Sequence, residues 1–146
     1  MLKPLVDDDG APYFEYAAKG ELRMQTCANC GEVLFPPRPM CPRCQSTEFE
    51  WKLMSGRGHV WSFAVPRPPL LPDYAAFAPY PVVVVELEED RRLRLVGNLV
   101  ASEDAGAGLE AQLASVDPAT IEIGQPVRAV FRQIEGLFVA AWTPDE

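Results

Sequence analysis

The 146-residue chain reads as a mostly β protein: an N-terminal helix, a four-cysteine ribbon, then a five-stranded OB-fold barrel with one short helix. Three observations predict this. Four cysteines, Cys27, Cys30, Cys41 and Cys44, form two Cys-x-x-Cys pairs ten residues apart. The second half alternates β-rich runs with turn residues. One helical pattern interrupts those runs, between the third and fourth strands. The expected division is an N-terminal helical and extended segment at 1–26, the ribbon at 27–50 and the barrel at 51–146.

Taken in order, Ala11 to Lys19 predicts a short helix with Phe14, Ala17 and Ala18 able to share a face and Gly20 as its stop. A helix this short must dock on the chain or on a partner. Leu22, Met24 and Thr26 alternate with polar neighbours, a strand leading into the first cysteine pair. Val33-Leu34-Phe35 runs into Pro36-Pro37-Arg38-Pro39, an extended loop that delivers Cys41. Phe49, Trp51 and Leu53 alternate with Glu48, Glu50 and Lys52, a half-buried strand leaving the ribbon.

Beyond the turn Ser55-Gly56-Arg57-Gly58, Val60 to Val65 is a strand. Val82 to Leu87 and Leu93 to Val100 form a hairpin around Glu88-Glu89-Asp90-Arg91. Leu109, Leu113 and Val116 share one face of a short helix. Val127 to Ile134 and Leu137 to Trp142 form a last hairpin, closed by Glu135-Gly136. The linking segment Pro66 to Pro81 holds six prolines with Tyr74, Phe77 and Tyr80 spaced along it. Long loops of this kind are binding loops or pack their aromatics back on the barrel.

A two-residue spacer lets both thiolates of a pair meet one tetrahedral ion, and the second pair completes a four-sulfur zinc shell. Gly31 follows the first pair, where a left-handed residue aims N–H groups at the sulfurs; Gln45 holds that place after the second, a less ideal knuckle. Four thiolates leave no vacancy for water, so the expected zinc, one per chain, is structural. Met1 to Leu5 has no apolar signal segment, which argues against disulfides and for a cytoplasmic chain. No run has the length of a membrane span.

The net charge of −8 is uneven: residues 1–26 balance to −2, residues 27–68 to +2, and the remainder to −8. The ribbon and the strand after it are therefore basic on an acidic chain, either a solvated face or a landing site for a polyanion. Catalytic parts are missing. His59 is the sole histidine, every cysteine belongs to the two pairs, and Ser62 lacks a nucleophile elbow. Glu88-Glu89 and Asp7-Asp8-Asp9 fall in turns or the terminus and read as solvated. The rival reading is a single-stranded nucleic-acid binder with Trp61 and Phe63 as a stacking platform, which the acidic balance disfavours.

The succession of Gly20-Glu21-Leu22-Arg23, the ribbon from Cys27 to Cys44 and Ser55-Gly56-Arg57-Gly58-His59-Val60-Trp61-Ser62-Phe63 resembles the zinc-ribbon/OB-fold proteins associated with acyl-CoA enzymes. Pro81 to Leu87, Leu95-Val96-Gly97-Asn98-Leu99-Val100 and Ile123 to Val127 extend the likeness over nearly the whole chain. Within that family it is most similar to the domain paired with lipid-transfer-protein-type aldolases of bacterial steroid side-chain breakdown. The resemblance implies a noncatalytic subunit in a hetero-oligomer with a thiolase-like aldolase and an acyl-CoA hydratase. The partner then carries out retro-aldol cleavage of a hydroxyacyl-CoA. If the barrel touches acyl-CoA, Arg38, Arg57 and Arg67 of the basic segment are the candidate phosphate contacts. Phe14, Tyr74, Phe77 and Tyr80 are the candidate partner-binding aromatics. Neither nucleic acid nor membrane is an expected partner.

Overall fold

The computed structural model describes residues 3–101 and 108–145. Its elements run in order: α1 (Ala11–Ala17), β1 (Arg23–Cys27), β2 (Val33–Leu34), β3 (Phe49–Leu53), β4 (Arg57–Ala64), α2 (Pro72–Ala75), β5 (Val82–Leu87), β6 (Arg94–Asn98), α3 (Leu109–Leu113), a 3-10 turn at Pro118–Thr120, β7 (Pro126–Ile134) and β8 (Leu137–Pro144). The chain is mostly β, as its sequence predicts, and α3 lies between the third and fourth barrel strands.

A first sheet, in the order β2-β1-β3, is the ribbon. Strand β3 pairs with β1 over its full length, from Arg23 opposite Leu53 to Cys27 opposite Phe49, so it straddles the expected boundary at residue 50. The alternation expected in β1 is only partial. Leu22 and Met24 are buried, but so is Gln25. The Gln25 amide is satisfied by the backbone of Arg38: its Nε2 donates to the Arg38 carbonyl and its Oε1 accepts from the Arg38 N–H, both at 2.8 Å. One side chain thus pins the proline-rich approach to Cys41.

The second sheet runs β6-β5-β4-β7-β8. A parallel bridge from Leu99 to Trp142 brings its two ends together, and the Val100 N–H donates to the Trp142 carbonyl at 2.7 Å. That closure makes an OB barrel. Two glycines permit it. A Cβ at Gly58 would stand 2.3 Å from the Glu86 carbonyl oxygen, and one at Gly97 would stand 3.0 Å from the Trp142 indole. The last hairpin turns on Glu135 and Gly136, both left-handed at φ 48° and 83°, the conformation a two-residue turn with the strands' own twist requires.

Val60, Val83, Val85, Leu87, Leu95, Leu99, Val127 and Trp142 fill the barrel, and Leu22 and Met24 of the ribbon side join the same cluster. Burial of a Leu, Val or Met side chain stabilises by about 1.5–3 kcal/mol, so this shared core is what sets the ribbon against the barrel. Helix α1 buries Ala17, and α3 buries Leu113; the Leu109 side chain lies outside the described residues. The proline-rich connection is not structureless. It forms the single turn α2, with Pro72 at its start, where the missing N–H costs nothing.

Candidate metal centre and surrounding surface

Cys27 ends β1, Cys30 and Cys44 close tight turns, and Cys41 follows the proline loop held by Gln25. The four sulfurs lie within 4.8 Å of one another. Cys27 Sγ is 3.5 Å from Cys44 Sγ, and Cys30 Sγ is 3.7 Å from Cys41 Sγ. A tetrahedral ion with Zn–S bonds of about 2.3 Å sets its sulfurs about 3.8 Å apart, so the donor set fits zinc.

The two knuckles are near copies. Gly31 N–H donates to the Cys27 carbonyl at 3.0 Å and Gln45 N–H to the Cys41 carbonyl at 2.9 Å. Cys27 N–H donates to Glu32 and Cys41 N–H to Ser46 in the same manner. The Cys30 N–H points at Cys27 Sγ from 3.5 Å and helps lower that thiol's pKa. The Asn29 amide donates to Cys44 Sγ and draws that thiol down to about 6. Cys30, despite the Glu32 N–H that favours its thiolate, is pushed up to about 12 by desolvation and by the neighbouring thiols. Four sulfurs this close carry four charges only with a cation among them.

The candidate arginines are not gathered in one cleft. Arg38 lines a cavity of about 330 Å³ where the ribbon meets the β5–β6 turn. Arg57 lines another, together with Glu88 and Asp145, and its Nε lies 3.8 Å from the Asp145 carboxylate. Arg67 is exposed on the proline-rich connection. Sequence reasoning missed Arg43 and Arg92, which share the Arg38 cavity. Arg43 sits inside the second Cys-x-x-Cys, and Arg92 belongs to a charged turn that reads as solvated.

Of the candidate aromatics, Tyr80 is buried and stacks on Tyr74 with ring centroids 6.5 Å apart. Tyr74 and Phe77 are half-buried. Phe14 is also half-buried and lines an apolar groove between α1 and the β7–β8 turn, with Ala18, Leu137 and Phe138. Trp61 and Phe63 do not form a platform. A bulge between Val60 and Ser62 puts Ser62 opposite Val84 and Phe63 opposite the fully buried Val83, so Trp61 and Phe63 face opposite sides. Trp61 instead lies on the outer face, with the Arg94 guanidinium 3.8 Å from its ring centroid. His59 is exposed on β4, opposite Glu86.

Comparison with known proteins agrees with this architecture. Residues 14–50 match the ChsH2 rubredoxin-like zinc ribbon domain, and residues 51–132 match the ChsH2 C-terminal OB-fold domain. The chain belongs to the ChsH2 family. It is 32% identical over 146 residues to the 3-oxo-4,17-pregnadiene-20-carboxyl-CoA hydratase alpha subunit of Mycobacterium tuberculosis, matching all of this chain and 41% of that one. It is 37% identical over 111 residues to a DUF35 domain-containing scaffold protein of Methanocaldococcus jannaschii, covering 75% of this chain and 66% of that protein. The chain therefore spans 41% and 66% of the length of these two curated relatives. Among solved structures, a chain of the Ltp2-ChsH2(DUF35) aldolase superposes with a TM-score of 0.78 at 34% identity, covering 97% of this chain and 98% of that one. A DUF35 protein of unknown function from Sulfolobus solfataricus shares the fold at a TM-score of 0.60 and 12% identity. This ChsH2-type chain thus joins a zinc-ribbon domain, whose four cysteines are set for a metal, to an OB-fold domain. None of its described helices is long and apolar enough to cross a membrane.

Proposed function

We propose that this ChsH2-family chain is a noncatalytic organising subunit of a cytoplasmic acyl-CoA-processing complex. It supports a thiolase-like, lipid-transfer-protein-type aldolase that cleaves a steroid side-chain hydroxyacyl-CoA by retro-aldol chemistry, and it links that enzyme to an acyl-CoA hydratase. The observation that carries this reading is the end-to-end likeness to the ChsH2(DUF35) chain of an aldolase whose name joins it to Ltp2.

The chemistry of the chain supports the same reading. All four cysteines belong to one cluster, which leaves no separate cysteine to attack an acyl group. The sole histidine is exposed on β4, where its cross-strand neighbour is a glutamate rather than a nucleophile. Cys27, Cys30, Cys41 and Cys44 hold one zinc per chain, which supplies folding energy and leaves no position for substrate. Phe14, Tyr74 and Phe77 present the docking aromatics, with Tyr80 stacked against Tyr74 from the buried side. Arg38, Arg57 and Arg67 are the arginines offered to the CoA phosphates.

Coexpression with the thiolase-like protein of the same organism tests the proposal. A stable complex of defined stoichiometry, surviving size-exclusion chromatography at moderate salt, is the expected result. Two proteins that elute independently at micromolar concentration would overturn it.

A further inference from the structure

We propose that the seam between the ribbon and the barrel is a binding site for a phosphate group, held by Arg38, Arg43 and Arg92. Nothing in the sequence places these three together. Arg38 comes from the proline loop and Arg43 from the second knuckle, while Arg92 comes from the β5–β6 turn, deep in the segment whose balance is −8. All three line one cavity of about 330 Å³.

The cavity already holds an oxyanion of the chain's own. Glu32 reaches Arg92 Nη1 through Oε1 at 2.8 Å and Arg43 Nη1 through Oε2 at 3.3 Å. Its side chain is only 12% exposed, whereas those of both arginines are 69% exposed. One carboxylate thus pairs with two guanidinium groups, and Arg38 lines the same cavity. Asp90 grips Arg92 from within its own turn, at 2.8 Å, and fixes that side chain in place. Arg38 has its backbone clamped by Gln25 on both sides, and among the described residues no carboxylate pairs with its guanidinium.

The donors spread around the cavity select the ligand. Once Glu32 and Asp90 are counted, one positive charge remains around the cavity. A carboxylate supplies two acceptor oxygens, whereas a phosphate supplies three, with about 1.5–2 negative charges. Guanidinium groups pair bidentately with phosphate, so three of them from different directions match a tetrahedral dianion. Val33, Phe35 and Leu93 form an apolar wall, suited to the organic part of a phosphate ester. The site stands on this geometry and not on the partner reading, and the chain alone suffices to test it.

The test is a titration of the zinc-loaded chain at low ionic strength, followed by backbone and arginine side-chain NMR. The probes are inorganic phosphate, adenosine 3′,5′-bisphosphate and acetate. Saturable shifts confined to Glu32, Arg38, Arg43, Arg92 and their neighbours are expected with both phosphates. Arg38→Gln and Arg43→Gln should each weaken binding by roughly tenfold, as loss of a charge-assisted hydrogen bond implies. Glu32→Gln, which removes the competing carboxylate, should strengthen it, and Arg128→Gln on β7 should leave it unchanged. Tighter binding of the bisphosphate identifies a phosphate ester as the ligand; equal affinity identifies free phosphate. Acetate binding as tightly as phosphate, or shifts scattered over every arginine, would overturn the proposal. Because the wild-type titration comes first, a variant that unfolds does not spare the proposal.

Discussion

Gln45 adopts the same left-handed backbone as Gly31, φ 67° against 79°, at the matching position of the opposite knuckle. The second turn therefore has the geometry of the first, but with a side chain that resists it. A left-handed residue with a Cβ costs about 1–2 kcal/mol, which glycine avoids. Replacing Gln45 by glycine should stabilise the ribbon by a few tenths to about 1 kcal/mol, since the looser unfolded chain offsets part of the gain. Gly31→Ala should do the reverse. Denaturant midpoints of the metal-loaded proteins decide both, and equal or opposite shifts would show the turn to be unstrained.

Removal of the metal should unravel the β2-β1-β3 sheet. So small a ribbon has little core of its own, and metal binding supplies roughly 10–16 kcal/mol of folding free energy in zinc-finger peptides. Protein purified without chelator should contain one zinc per chain by elemental analysis. Chelation should release it, make four thiols reactive and erase the amide signals of residues 23–53 from their folded positions. A folded ribbon with four titratable thiols and no metal would refute the assignment.

The relation of these features to the sequence is uneven for physical reasons. The cysteine pairs were legible because a chelate turn is local: two residues of spacing carry the whole geometry. The barrel strands were legible because Val82 to Leu87 and Val127 to Ile134 state their own burial and turns. The bulge at Trp61 was not, since an extra residue in one strand shows only against its partner, and it undid the face that i and i+2 spacing assigned to Trp61 and Phe63. Gln25 looked like the polar half of an alternating strand, yet it is buried because the Arg38 backbone meets its amide. Arg92 joined the seam by tertiary approach alone. Long-range pairing of single polar groups leaves no periodic trace.

A buried polar link ties the proline-rich connection to the barrel. Asn98 donates from Nδ2 to the Pro81 carbonyl at 2.9 Å, and its Oδ1 accepts from the buried Arg132 guanidinium. Asn98→Ala removes both bonds at once from a buried site, at a cost of about 1–3 kcal/mol. Thermal unfolding should register the loss, and amide exchange should accelerate between Leu70 and Pro81. An unchanged midpoint would mean that the connection is held by its own packing.

Tyr13 packs against Phe14 and Phe35, with ring centroids 5.1 and 5.8 Å away, and burial pushes its phenol up to about 12. An unfolded tyrosine ionises near 10. The folded chain therefore holds the neutral phenol, and the stability it contributes is complete below pH 10 and lost as pH rises toward 12. Tyr13→Phe should flatten that alkaline decline. If both proteins lose stability in parallel between pH 10 and pH 12, another group is responsible.

The proposed role of this chain is to organise a thiolase-like aldolase that carries the chemistry. The most direct measurement is hydroxyacyl-CoA cleavage by three samples: the chain alone, the partner alone and the two together. We expect no turnover by the chain, and a partner that is weakly active or insoluble until the chain is added. Tyr74→Ala with Phe77→Ala should lower both association and turnover while the barrel stays folded, since an aromatic hot spot is worth about 2 kcal/mol or more. A partner fully soluble and fully active by itself, or cleavage by this chain alone, would contradict the account.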